Sequence, residues 1–246
     1  MPVTAEEADA EARDLVGEVL QMISPVSAPI ARRPTYLAEQ LSFLQARENY
    51  RAFAELLESG DDVPAATMAR ALYEEAMRWA WVDEDPDART AAFFGEAGRA
   101  HRLITEAAAV QQIDPSMFFT PLVSNELLPA AGQVRFPGRF EDLMDWMPDS
   151  SMHYLQYRLL SQYVHSSLLA AASTVVEEAG ELRNARALPV AARLTVMRNA
   201  VASIAVVFDF TKSGLSWPGA LPMNLVVASV SMRMAQITLP FAPAAA

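Results

Sequence analysis

The chain has 246 residues, 52% hydrophobic against 20% charged, which excludes a disordered polymer and leaves room for one sizeable core. Its net charge of −11 and pI near 4.7 exclude an evenly basic nucleic-acid-coating protein, so any RNA contact must rest on a local arginine cluster. Cysteine is absent, which excludes disulfides, Cys-ligated zinc, iron–sulfur clusters and thiol catalysis.

The acidic start, MPVTAEEADAEARDL, has no basic region followed by an apolar one, so it reads as no secretory leader and a cytoplasmic protein is expected. A first helix is expected over 4–24, with Thr4 as N-cap, Glu6 and Glu7 in its first turn, and Leu15, Val16, Val19, Leu20 and Ile23 as its apolar stripe. Ser24–Pro34 carries three prolines and reads as an extended connection. A second helix follows over Tyr36–Glu58 and stops at Ser59-Gly60, with Leu37, Leu41, Leu44, Phe53, Leu56 and Leu57 at helical spacing.

Asp61-Asp62-Val63-Pro64 is a helix-start signal, and a third helix over Pro64–Val82 runs into the breaker DEDPD at Asp83–Asp87. The fourth helix is expected over Asp87–Gln112, with Phe93, Phe94, Ala97, Leu103 and Ile104 as core candidates. Ile113–Asp149 is denied a long helix by its prolines and glycines, and reads as an irregular crossover with a short helix near Arg139–Trp146. Ser150 and Ser151 cap a fifth helix that is expected to reach Ala179, before Gly180. After a polar turn, Pro189 opens a sixth helix to Phe208, and Met223–Ile237 gives a seventh.

The expected fold is all-α: a single-domain bundle of about seven helices with a Pro-rich irregular middle. Its parts are an N-terminal helix and linker (1–34), helical hairpins (35–112), the crossover (113–149), C-terminal helices (150–237) and a tail (238–246). Two long uncharged stretches need a membrane check. Leu159–Val176 holds Ser161, Gln162, His165, Ser166 and Ser167, and Ser213–Met232 is cut by Pro218, Gly219 and Pro222, so neither supplies the roughly 20 apolar residues of a lipid-facing span. No membrane partner is expected.

The most pointed chemical feature lies in the fifth helix. At about 100° per residue, Tyr154, Arg158, Ser161 and His165 share one narrow stripe. Arginine neutralises an anion and histidine moves a proton near neutral pH. A second constellation, Arg70 and Glu74 in the third helix, pairs across one turn among Met68, Leu72, Met77, Trp79 and Trp81. The simpler account of His165 is a core histidine bonded to a carboxylate such as Glu74. No Gly-rich phosphate loop, H-E-x-x-H or G-x-S-x-G occurs. The chain has three histidines (His101, His153, His165) in segments that do not converge, so neither metal nor cofactor is expected.

RALYEEAMRWAWV, followed much later by LLSQYVHSS, resembles a widespread bacterial helical family of unknown function with an Arg-x-x-x-Glu helix and a later Ser-x-x-x-His helix. The matching positions are Arg70, Glu74, Ser161 and His165, within roughly residues 35–180. A looser resemblance is to HEPN domains, helical bundles whose nuclease members carry an Arg followed after four to six residues by His. Arg158 and His165, six residues apart in that sense, match this spacing. The HEPN resemblance implies that Arg158 holds a scissile phosphate and His165 acts as acid/base in metal-independent RNA cleavage, with two protomers forming the site, in a defence or toxin system. Leu159 stands where HEPN motifs commonly carry a polar residue.

Two other readings remain open on the sequence, and with them whether the chain is an enzyme at all. One is a noncatalytic interaction module that assembles as a homo-oligomer. The other is an enzyme acting on a hydrophobic small molecule in a pocket lined by Trp79, Trp81, Trp146 and Trp217. Asp83–Asp87 is similar to the Asp-rich motif of helical terpene cyclases, but Val207 follows Asn199 and Ser203 where a second metal motif needs Glu. A capped inter-helix turn accounts for that run more simply.

Overall fold

A computed structural model describes residues 4–29, 34–118, 137, 140–144, 150–163, 175–184, 187–216 and 223–237. Seven of its helices have twelve residues or more: α1 (Ala5–Ile23), α2 (Pro34–Glu58), α3 (Asp62–Val82), α4 (Pro86–Val110), α6 (Ser150–Ser161), α7 (Val190–Thr211) and α8 (Met223–Gln236). A single-turn helix, α5 (Phe140–Met144), lies between α4 and α6. The fold is all-α, as the apolar periodicity implies.

Local chemistry sets most of the ends. Thr4 and Glu7 form a reciprocal capping box at the start of α1: the Glu7 amide donates to Thr4 Oγ1 at 3.1 Å and the Thr4 amide to Glu7 Oε2 at 3.0 Å. Gly60, at φ +78°, closes α2 with bonds from the Asp61 amide to the Leu56 carbonyl and from the Gly60 amide to the Leu57 carbonyl. Asp85 caps α4 by accepting from the Ala88 amide at 3.2 Å. The Asp83–Asp87 run is therefore a capped inter-helix turn.

The core forms where α3 and α7 face each other, with α1, α2 and α8 around them. Ala65, Ala66, Ala69 and Ala76 give α3 a side with little bulk, and Leu194, Met197, Val201, Ile204, Val207 and Phe208 of α7 fill the space. From α2, Phe43, Ala46, Tyr50 and Phe53 face inward, and the Phe43 ring meets Phe208 edge-on at 5.7 Å. Leu41 and Leu44 of α2 are half-buried at the border of this seam. Among the described residues α7 is the one helix long and apolar enough to cross a membrane, with a mean hydropathy of 1.5. Its contacts with four other helices account for that apolarity.

An ionic hub ties α1, α3 and α7 together. Asp62, 1% exposed, accepts from the Leu188 amide at 2.7 Å and from Arg193 Nη1 at 3.0 Å. Arg193 Nε also donates to Asp9 at 2.6 Å, and Arg13 Nε reaches the same carboxylate at 3.0 Å. Burial opposes charge on Asp9, but the two arginines outweigh it and hold its carboxyl below the usual carboxylate range. Asp62 is thus part of the interior; Asp61, at the cap position, makes no side-chain cap bond.

Two sequence expectations are corrected. The fifth helix does not continue to Ala179: α6 ends at Ser161, and Val175–Glu178 pairs antiparallel with Glu181–Asn184 in a two-residue hairpin. Ala179 and Gly180 both take positive φ, 55° and 80°, as a type I′ turn requires. Leu103 and Ile104 of α4 are not core; they are 56% and 41% exposed, because the inward side of this half of the helix carries Gly98 and Ala108 instead.

Candidate functional site

The Arg70/Glu74 helix and the Ser161 helix do meet, along an α3–α6 seam. The two run antiparallel: Tyr73 meets His153, and Arg70, one turn back, meets Tyr157, one turn on. The same register sets Ser161 about one further turn along, level with Ala66 and Thr67. Glu74 sits at the His153 end.

Arg70 is the hinge pin of the seam. Its Nη2 lies 2.7 Å from Glu74 Oε1 and donates to the Tyr157 hydroxyl at 3.2 Å. The guanidinium carbon stands 5.2 Å from the centre of the Tyr157 ring. The Phe140 ring of α5 packs 4.6 Å from the other aromatic partner, Tyr157, and 6.3 Å from Tyr73. At the far end, Tyr73 Oη is 2.8 Å from His153 Nδ1 and 3.2 Å from the His153 carbonyl oxygen. Burial pushes the Tyr73 phenol well above its usual range, so at neutral pH it is a neutral hydroxyl. Ser161 Oγ and Arg70 Nε are buried in the seam without a hydrogen-bond partner among the described residues.

The stripe Tyr154–Arg158–Ser161–His165 divides. At about 100° per residue, the inward face of α6 is centred on His153, Tyr157 and Leu160, with Ser161 at its border. Tyr154 and Arg158 lie roughly 90–130° from that centre by the same count, and both are exposed. The Arg158 guanidinium carbon stands 5.9 Å from the Tyr154 ring, and no carboxylate among the described residues lies within ion-pair distance of it. His165, Trp146 and Trp217 lie outside the described residues.

The remaining sequence candidates are interior. Trp79 and Trp81 are 2% and 8% exposed and pack with Val82, Phe94 and Leu143. The Trp79 indole donates to Glu75 Oε1 at 3.2 Å. Burial raises the Glu75 carboxyl, against hydrogen bonds from Ser42 and Trp79 and the nearby Arg78 charge. No group of three His, Asp or Glu residues that could hold a metal occurs among the described residues.

Tyr73, His153 and Tyr157 are the seam residues that the sequence pattern did not single out. Their signal was present as His153, Tyr157 and Ser161 at successive four-residue steps, facing Arg70 and Tyr73 at a three-residue step. A family profile matches residues 40–182, more than half of the chain. The chain belongs to DUF5677, a family of unknown function. The DUF5677 match runs from α2 to the hairpin and takes in all of α3 and α6, so the seam lies wholly inside it, close to the 35–180 span of the resemblance. No curated protein and no solved structure matches the chain.

Proposed function

We propose that this DUF5677 protein is a cytoplasmic, HEPN-like RNA-binding protein, with metal-independent RNA cleavage as the activity of the same helix. One observation carries the reading: α6 is fixed to α3 on its inner side and presents Tyr154 and an unpaired Arg158 together on its outer side. An exposed aromatic ring stacks an unpaired base, worth about 1–3 kcal/mol, and a guanidinium beside it pairs with the adjoining phosphate. In an acidic chain such a contact works only as a local site, as this one is. Under the HEPN resemblance Arg158 would hold the phosphate and His165 would move the proton. Arg70, Glu74 and Ser161 then hold the helix and do not touch RNA. The closed packing of Trp79 and Trp81 weighs against a hydrophobic-metabolite pocket at those residues.

The test is anisotropy with a fluorescent single-stranded RNA, together with RNA incubation in EDTA. Tyr154→Ala and Arg158→Ala are each expected to weaken binding about tenfold, the equivalent of ~1.4 kcal/mol. His165→Ala is expected to keep binding and abolish cleavage. Absence of RNA binding by the wild type, or equal binding by all variants, would overturn the reading.

A further inference from the structure

We infer that the outer half of α4 is a homodimer interface, in which the helix packs antiparallel on the same helix of a second copy. Gly98, His101, Thr105 and Ala108 recur at helical spacing as the inward stripe of this segment. Leu103 and Val110 lie on the opposite side, 56% and 79% exposed, with exposed Ala100 and Ala107 between and beside them. A stripe that places its largest apolar side chains away from its own core is the pattern of a face awaiting a partner.

Charge decides which partner. Arg99, Arg102 and Glu106 flank the apolar line on one side, all exposed and none within ion-pair distance of an opposite charge among the described residues. In an antiparallel helix pair related by a two-fold axis, like flanks face each other. With the axis at Leu103, that residue meets its own copy, and Ala100 and Ala107 let the backbones approach. Glu106 of one copy then falls opposite position 100 of the other, between Arg99 and Arg102. The contact occurs twice by symmetry, so every flanking charge finds its opposite. The other exposed apolar stripe, Met152, Leu155 and Leu159 on α6, lacks this property: its helix carries a single charge, Arg158, which a two-fold would set against itself.

About twelve residues of helix span ~18 Å, so the buried area falls at the small end, below about 1,200 Å². The dimer is therefore reversible and concentration-dependent. Sedimentation equilibrium over a wide concentration series is expected to show the mass rising from 26.9 kDa toward twice that value. The double variant Arg99→Glu/Arg102→Glu and the single variant Glu106→Arg each place like charges across the axis and should stay monomeric. Mixed together, one is wholly acidic and the other wholly basic along this flank, and they should pair. Leu103→Asp should remain monomeric in every mixture. All four positions are exposed, so an unchanged helical circular-dichroism spectrum shows that each variant is folded. A wild type that stays at monomer mass throughout, or charge variants that self-associate as the wild type does, would overturn the inference and leave the RNA test on α6 untouched.

Discussion

Arg70→Ala tests whether the α3–α6 seam is held by that one side chain. Its side chain is 14% exposed and that of Glu74 is 27%, so the pair lies between the surface and buried limits. A surface pair contributes up to about 1 kcal/mol, and breaking a buried one costs ~3–5 kcal/mol. The stacked Tyr157 ring adds roughly 0.5–2 kcal/mol, and the hydrogen bond to its hydroxyl about 1 kcal/mol. These terms share one guanidinium and overlap, so the expected total is ~2–4 kcal/mol. At about 2–4 °C per kcal/mol for a chain of this size, Tm falls by roughly 4–16 °C. Urea unfolding followed by circular dichroism, in a cycle with Tyr157→Phe, isolates the hydroxyl contact; a cycle with Tyr157→Leu isolates the ring. Coupling of about 0.5–1.5 kcal/mol is expected in each. A Tm within ~2 °C of wild type for Arg70→Ala, or coupling below about 0.3 kcal/mol in both cycles, would refute the account of Arg70 as the pin of the seam.

Asp62→Ala removes the acceptor of the Leu188 amide and one of the two carboxylates on Arg193, and is expected to cost ~3–5 kcal/mol by thermal unfolding; Asp62→Asn keeps one acceptor and should cost less. Glu75 has its folded pKa raised by burial, so the folded state holds this proton to higher pH than the unfolded chain does. Its ionisation therefore lowers stability as pH rises through the carboxylate range, and Glu75→Gln should raise Tm at neutral pH, a gain that fades on acidification. Asp9 has the opposite sign: its folded pKa is depressed, so its stabilisation is present above the unfolded value near 3.9 and is lost as pH falls through the folded one. Asp9→Asn should flatten the acid limb of a Tm-versus-pH curve; an unchanged limb would exclude Asp9 from acid unfolding.

What the sequence disclosed depended on how far apart the interacting residues lie. Thr4–Glu7, Gly60 and Asp85 act within five residues, and each end they set was readable from residue type. The Arg70–Glu74 pair, four apart on one helix, was equally legible. Asp62 reads locally as a helix start, yet its partners lie 126 and 131 positions away, which no local pattern discloses. The same holds for Tyr73 and His153, 80 positions apart. The stripe on α6 failed for a different reason. Periodicity says which residues share a side and is silent on which side meets the core; Tyr157 and Leu160 settled that, and Tyr154 and Arg158 faced outward. The hairpin was missed because Ala179 supplies a left-handed turn position that Gly, Asn or Asp would have announced. Its Glu and Leu residues favour helix when read one at a time.

The family boundary and the packing boundary do not coincide, and the mismatch bears on the site. The DUF5677 match ends at residue 182, before α7, and begins at residue 40, after α1. Yet the inner side of α3 is covered by α7, and its first turn is tied through Asp62 to Arg193 of α7 and, through Asp9, to α1. A fragment of residues 40–182 would expose Ala65, Ala69, Leu72 and Ala76 to water and leave Asp62 without its buried cation. Its α3 would lose the surface that positions Arg70 and Tyr73 toward α6. The seam is therefore a family feature mounted on flanking helices that are not part of the family profile. That arrangement explains why α7 can be nearly featureless chemically and still be the most deeply enclosed helix of the chain: its task is to hold α3 still.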